Sequence, residues 1–245
     1  DVAVTGVQTC ALPIFTFSVE KGEVFTIIGP NGAGKTTIFN LMSRIYDPSE
    51  GRLVFEGQDI TRVPPHKIAA LGIARTFQNI ELFEHATLLQ NLLLARHAHK
   101  KSNFWSELLF TPATRRMEIE HREAVEHVID FLDLQQYRDS YIVNLPYGVR
   151  KVTELARALC TNPKLLLLDE PSSGLNVEET EDMAFWIQDI KNLLGITVLM
   201  VEHDMSLVSA VSDRVLALNY GRPLAMGTPS EVQSHPEVMR AYLGG

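Results

Sequence analysis

The stretch Gly29-Pro30-Asn31-Gly32-Ala33-Gly34-Lys35-Thr36-Thr37 limits what this chain can fold into more than any other. It fits the pattern G-x-x-x-x-G-K-[ST], and the apolar run VFTII before it reads as a strand. The glycines let the backbone curl until its N–H groups face one point, and a helix from about Lys35 adds its positive end. That geometry holds a phosphate. Lys35 would reach the β- and γ-phosphates, and Thr36 would ligate Mg²⁺. The bland alternative is a glycine-rich turn that binds nothing. The preceding strand, and a second motif downstream, argue against it.

The second motif is LLLLDEP, an apolar strand that ends in Asp169 and Glu170. Two adjacent carboxylates at the end of a buried strand are costly unless a metal or substrate needs them. Asp169 would hold Mg²⁺ and Glu170 would polarise the attacking water. On its own the pair could as well be a helix-capping acid. A further apolar run, ITVLMVEH, ends in His203. Such a histidine can be a core residue. On a sheet edge that already carries Lys35 and Glu170, it reads as a γ-phosphate contact.

Around these motifs the pattern alternates between strand and helix. FTFSVEKGEVFTII, residues 15–28, predicts a hairpin or two short strands, and GRLVFEGQDI another strand and turn. Residues 66–76 read as helix, and the chain turns irregular around Gln78. From 85 to 135 the period is helical: Ala124, Val128 and Leu132 share a face, as do Val125 and Ile129. This predicts an inserted helical subdomain over roughly 80–158. The later runs KLLLLDE, GITVLMVEH and RVLAL suit a buried parallel sheet.

Composition excludes other classes. With 30 acidic and 22 basic residues the net charge is −8, a poor match to a nucleic-acid binder. The cluster Arg96, His97, His99, Lys100 and Lys101 reads as a solvated helix end. Cys10 and Cys160 form no Cys-x-x-Cys pair, which implies a reducing compartment and no zinc ribbon. No apolar run approaches the roughly 20 residues of a membrane span, and no signal-peptide pattern is visible. The expectation is a soluble protein whose membrane role, if any, passes through a partner.

A GTPase would carry an Asn-Lys-x-Asp base reader, which is missing here, and a small-molecule kinase would need a lid of arginines, for which Arg115 and Arg116 are poor candidates. The order of motifs is phosphate loop, Gln78, helical insert, Leu145 to Lys151, Asp169-Glu170, Ser173-Gly174-Leu175-Asn176, then His203. From about residue 15 to the end, that order resembles the nucleotide-binding domains of ATP-binding-cassette (ABC) transporters. The resemblance implies an α/β fold: a P-loop NTPase core with a mainly parallel sheet, an N-terminal antiparallel β subdomain and the inserted α-helical subdomain. It implies ATP and Mg²⁺, with Glu170, His203 and Gln78 catalytic and Thr36, Gln78 and Asp169 around the metal. Leu145, Pro146, Tyr147, Gly148 and Val149 stand where the family has its Leu-Ser-Gly-Gly-Gln signature, which closes on the partner subunit's ATP. Ser173, Gly174, Leu175 and Asn176 match the loop that crosses the dimer interface, with Asn176 where Asp is commoner.

The segments RTFQNIELFEHATLLQNLLLARH, FWSELLFTPATRR and MRAYLGG are similar to ATPase subunits of branched-chain amino-acid importers. Amide and urea importers have similar ATPases. A soluble non-transport cassette ATPase, or a nucleotide-gated module without useful turnover, stays open. The transporter resemblance implies a second ATPase subunit, identical or different, integral membrane permease subunits, and indirectly a periplasmic or extracellular binding protein, with no nucleic acid. It places the chain in the cytoplasm on the inner face of the membrane. Phe104, Trp105, Leu108, Leu109 and Phe110 are expected to pack within the insert, or else to wall a groove for a membrane subunit's coupling helix with Ile80, Leu82 and Phe83.

Two departures stand out. In the signature, Pro146 offers neither hydroxyl nor N–H, Tyr147 replaces a glycine and Val149 a glutamine. Gly148 and the dipole of a helix from about Arg150 remain. The expectation is a signature that still closes on the partner's ATP but stabilises it less. At the N-terminus, the family's adenine-stacking aromatic should fall near Thr5 or Gly6, yet no aromatic precedes Phe15. VTGVQTCALPI fits no family strand. Residues 1–14 are therefore set apart as a non-family segment, artefactual or disordered, with 1–13 expected to pack poorly. Residues 15–245 form the nucleotide-binding domain.

Overall fold

A computed structural model of the chain describes residues 2–8, 15–76, 80–96 and 112–243. It divides into two compact units, residues 1–78 with 164–245, and residues 79–163. Gln78, the aromatic cluster at 104–110 and the basic residues from His97 to Lys101 fall outside the described residues.

The first unit carries the strands β1 (Val2–Gln8), β2 (Phe17–Val19), β3 (Val24–Ile28), β4 (Glu50–Phe55), β5 (Gln58–Asp59), β6 (Ile73–Arg75), β7 (Leu165–Asp169), β8 (Thr197–Val201), β9 (Arg214–Asn219) and β10 (Arg222–Gly227). Its first helices are α1 (Lys35–Met42) and α2 (Ile68–Leu71). The second unit holds α3 (Leu88–Ala95), α4 (Pro112–Phe131) and α5 (Tyr147–Leu159). The later helices are α6 (Val177–Asn192), α7 (Met205–Val211), α8 (Pro229–Gln233) and α9 (Pro236–Leu243).

The larger sheet has the order β10-β9-β3-β8-β7-β6. Strands β9, β3, β8, β7 and β6 run parallel, and β10 is antiparallel at one edge. Every residue of β3, β7 and β8 is buried. A strand covered on both faces needs an unbroken apolar run rather than alternation, which is why VFTII, LLLLD and TVLMV look as they do. Phe25, Ile27, Phe39, Leu165, Leu167, Leu199, Val201 and Leu216 form much of this core. Each contributes about 1.5–3 kcal/mol of burial.

The smaller sheet, β2-β1-β4-β5, is antiparallel in every pairing. Here the expectation of disorder is corrected for residues 2–8. Val2–Gln8 is not a stretch without a strand: β1 pairs Val2 with Val19 on one side and with Phe55 on the other. Three valines in seven residues favour the extended backbone, and two neighbouring strands supply its hydrogen-bond partners.

Of two further readings, the first is settled in favour of two strands over a hairpin and the second changes. Residues 15–28 form two short strands, and these belong to different sheets. Gly22, at φ 77°, turns the chain, its N–H donates to Thr197 Oγ1 at 2.9 Å, and Val24 N–H donates to Asp213 Oδ2 at 2.7 Å. The segment 66–76 is only partly helical. Gly72, at φ 98°, ends α2, and Ile73–Arg75 then joins β7 as a parallel strand.

In the second unit Leu88, Leu92, Val125, Ile129 and Ile142 are buried to 1% exposure or less. Thr87 and Gln90 form a capping box at the start of α3. Buried Asn91 ties α3 to the preceding loop by accepting from Phe83 N–H at 2.8 Å and donating to Phe83 O at 3.1 Å.

Candidate nucleotide site

Strands β3, β8 and β7 are neighbours and parallel, so their C-terminal ends lie on one edge. From β3 comes the phosphate loop, from β7 the Asp169–Glu170 pair, and from β8 the Glu202–His203 pair. Ligands bind at such an edge in open α/β sheets.

The loop has the expected shape. Gly29, Gly32 and Gly34 all have positive φ, at 157°, 80° and 101°. A Cβ on Gly29 would collide with the Leu218 carbonyl oxygen and press on Ala33, so only glycine fits. Gly34 caps α1 without any side-chain hydrogen bond, which leaves the helix entrance to a ligand. Lys35 is only 8% exposed, and its Nζ donates to Gly29 O at 2.6 Å and Pro30 O at 3.1 Å. Burial pulls its pKa down, against the opposing pull of the Glu170 and Asp169 carboxylates. The two carbonyls hold the ammonium within the loop. Thr36 is exposed on the first turn of α1.

Asp169 is 5% exposed. Its Oδ2 accepts from Arg75 Nη2 at 2.8 Å. Arg75 reaches three ways: its Nη1 also donates to Asn40 Oδ1 at 2.7 Å and Ser43 Oγ at 2.9 Å, both on or just past α1. Its guanidinium lies 5.6 Å from the centroid of the Phe39 ring. Glu170 continues the β7–β8 ladder by donating its N–H to Val201 O at 2.9 Å, then leaves it with φ at 49°. A left-handed non-glycine residue costs on the order of 1–3 kcal/mol and is tolerated where function fixes it.

His203 projects from the same edge with its side chain 58% exposed. Behind it sits Glu202, which is wholly buried. Glu202 accepts from Ser172 N–H at 2.9 Å and Ser172 Oγ–H at 2.6 Å, and from the N–H groups of His203 at 2.6 Å and Asp204 at 3.0 Å. This carboxylate stitches the turn after Glu170 to the turn that presents His203. Ser173 N–H donates to Glu170 O, Gly174 takes φ 80°, and Leu175 N–H donates to Ser172 O. Asn176 caps α6 through a bond from Glu179 N–H at 2.9 Å, within a full capping box. Asn and Asp serve equally at an N-cap, so this position keeps its structural role with either.

The segment Leu145–Val149 lies in the second unit. The helix begins at Tyr147, not at about Arg150, because Pro146 at φ −54° and ψ 155° is itself the N-cap. No side chain caps this end, and the first helical bond runs from Arg150 N–H to Pro146 O. Pro146 and Tyr147 are exposed, whereas Leu145 and Gly148 are buried.

The structure thus gathers Lys35, Asp169, Glu170 and His203 at one edge and adds two residues the sequence reading missed. Arg75 was hidden by the helical reading of 66–76. Glu202 was overlooked beside His203, although a third carboxylate at a strand end was a signal of the same kind as Asp169.

Comparison with known proteins gives a consistent result. The profile of the ABC transporter family matches residues 12–173, and that of the branched-chain amino acid ATP-binding cassette transporter matches residues 222–245. The chain is 43% identical over 226 residues to the high-affinity branched-chain amino acid transport ATP-binding protein BraF of Pseudomonas aeruginosa, covering 92% of this chain and 89% of that protein. It is 40% identical over 222 residues to the corresponding LivG protein of Escherichia coli, covering 91% and 87%. A solved ATP-binding cassette of an ABC transporter, in its ADP conformation, superposes with a TM-score of 0.85 at 31% identity, covering 100% of this chain and 98% of that one.

Proposed function

The chain belongs to the ABC transporter family, and from that premise we propose that it is the ATP-binding and ATP-hydrolysing subunit that powers an importer of branched-chain amino acids. The observation that carries the proposal is the 43% identity to BraF over 92% of the chain, joined to the separate C-terminal match at 222–245.

Each residue has a task in that chemistry. Backbone N–H groups of the loop, Gly34 to Thr37 among them, and the Lys35 ammonium bind and orient the phosphates. Glu170 sits at the strand end to orient the attacking water and take its proton, and His203 holds the γ-phosphate. Thr36, Asp169 and Gln78 would hold Mg²⁺, which neutralises charge that builds on the phosphate oxygens. A hydroxyl and a carboxylate are the hard oxygen donors this ion takes alongside substrate phosphates. Ser173 to Asn176 face a second ATPase subunit.

The entrance of α5, at Leu145 to Val149, closes on the nucleotide held by that second subunit. With Pro146 in place of a serine it contributes dipole and backbone but no hydroxyl. The two nucleotide sites are therefore unequal, and the one built on Lys35, Glu170 and His203 carries most of the turnover. No helix among the described residues is long and apolar enough to cross a membrane. The solute passes through permease subunits, which this chain contacts from the cytoplasmic face. A binding protein outside delivers the solute.

The test is reconstitution in proteoliposomes with the permease subunits, the second ATPase and the binding protein. Leucine, isoleucine or valine should stimulate ATP hydrolysis. Glu170→Gln should keep ATP binding and lower turnover by roughly 10²–10⁴-fold. Stimulation by urea or a short amide instead would reassign the solute, and unchanged turnover with the partner's base also disabled would remove Glu170 from its role.

A further inference from the structure

We propose that Tyr220 is the platform on which the nucleotide base stacks, a reading that rests on the ATP-binding function above. The order of the strands sets the direction in which a bound nucleotide runs. Asp169, Glu170 and His203, the groups that address the terminal phosphate, all lie on the β8–β7 side of β3. A nucleotide whose phosphates enter the loop after β3 with their reacting end on that side carries its base away on the opposite side. The strand there is β9, paired with β3 from Phe25↔Arg214 to Ile28↔Ala217.

The turn after β9 touches the phosphate loop directly. Gly221 N–H donates to Ala33 O at 2.8 Å, and the Leu218 carbonyl packs against Gly29. Tyr220 stands at the tip of this turn and is 79% exposed. Three of the aromatics nearby are engaged with one another. Phe15, Phe17 and Phe25 stack in series, with ring centroids 5.8 Å and 5.6 Å apart. Tyr242, 40% exposed, is anchored from the C-terminal helix with its hydroxyl at the Gly29 backbone rather than on the turn after β9.

The backbone at Tyr220 shows what the ring costs the fold. Tyr220 and Gly221 have φ of 46° and 73°, so both central residues of this two-residue hairpin are left-handed. Such a turn favours Asn, Asp or Gly at its first central position, and a bulky side chain there is an outlier. A large, solvent-facing ring has thus been kept at a strained position where a small polar residue suits the fold better. The β4–β5 turn holds Glu56 and Gly57 at similar angles, so what sets Tyr220 apart is an exposed aromatic ring on a turn that touches the phosphate loop. Base stacking uses the π-face alone, so it accepts any base.

The experiment measures binding of ADP and of inorganic pyrophosphate to the purified full chain, with variants Tyr220→Asn, Tyr220→Phe and Tyr220→Trp. Tyr220→Asn should raise the thermal midpoint, because it relieves the left-handed strain, yet weaken ADP by roughly 5- to 160-fold. Pyrophosphate affinity should stay unchanged, and Tyr220→Phe should bind ADP like the parent. The indole of Tyr220→Trp should be quenched by ADP and by GDP but not by pyrophosphate. Unaltered ADP affinity in Tyr220→Asn overturns the proposal. Equal loss of ADP and pyrophosphate also overturns it, since the turn would then only brace the loop. A parent chain that binds pyrophosphate but neither ADP nor ATP removes the nucleotide reading itself, and this proposal with it.

Discussion

Arg75→Met should destabilise the protein severely without touching a nucleotide. The arginine and Asp169 are 10% and 6% exposed at their side chains and 2.8 Å apart. Methionine keeps most of the stem that passes Phe39 but loses the guanidinium fork. Asp169 would then be a buried carboxylate without its cation, a situation that costs about 3–5 kcal/mol. Asp169→Asn keeps the shape and removes the charge, so it should cost less, about 1.5–3 kcal/mol for a charge-assisted bond. The double variant leaves no uncompensated charge, and its loss should fall short of the sum of the two by at least ~1 kcal/mol. Arg75→Lys should lie between, because an ammonium can reach Asp169 but cannot also fork to Asn40 and Ser43. Urea unfolding of the full chain without nucleotide, followed by its tryptophan fluorescence, measures all four. A loss below about 1 kcal/mol for Arg75→Met, or strict additivity in the double variant, would refute the view that this pair holds β6 against β7 and α1.

Three other outcomes are expected. Glu202→Gln keeps the carboxylate's shape but turns an amide NH₂ towards backbone N–H groups, so unfolding should become easier by about 2 kcal/mol and turnover of the assembled complex should fall while ATP affinity holds. Both are readable in one preparation by denaturation and single-turnover kinetics. Cys160 is 2% exposed and burial pushes its thiol up to about 12, so at pH 8 it should resist iodoacetamide in the native chain and react only after unfolding, as peptide mass mapping would record. Pro146→Ser combined with Val149→Gln should raise turnover at the partner's nucleotide when the base of this chain's own site is disabled by Glu170→Gln. An unchanged rate would mean that the helix entrance with Gly148 is sufficient.

What the sequence determined by itself is the placement of groups carried on contiguous residues. The loop from Gly29 to Thr37 needs only its own glycines and the helix it opens, so its pattern is complete within nine letters. Asp169-Glu170 and His203 were legible because each follows an unbroken apolar run, and such runs arise where a strand is covered on both faces. The helical face of Val125 and Ile129 was legible from its period for a similar reason. Tertiary structure decided what depends on pairing between distant segments. Arg75 meets Asp169 across 94 positions of sequence. Glu202 joins the Ser172 turn to the His203 turn, 30 positions apart. Whether residues 15–28 form one hairpin or feed two sheets was settled by Thr197 and Asp213, which take the backbone N–H groups of Gly22 and Val24. Val2–Gln8 became a strand because β2 and β4 offered it partners on both sides. A backbone hydrogen bond is the same chemical group at every residue, so which strands exchange it is set by how the apolar faces pack.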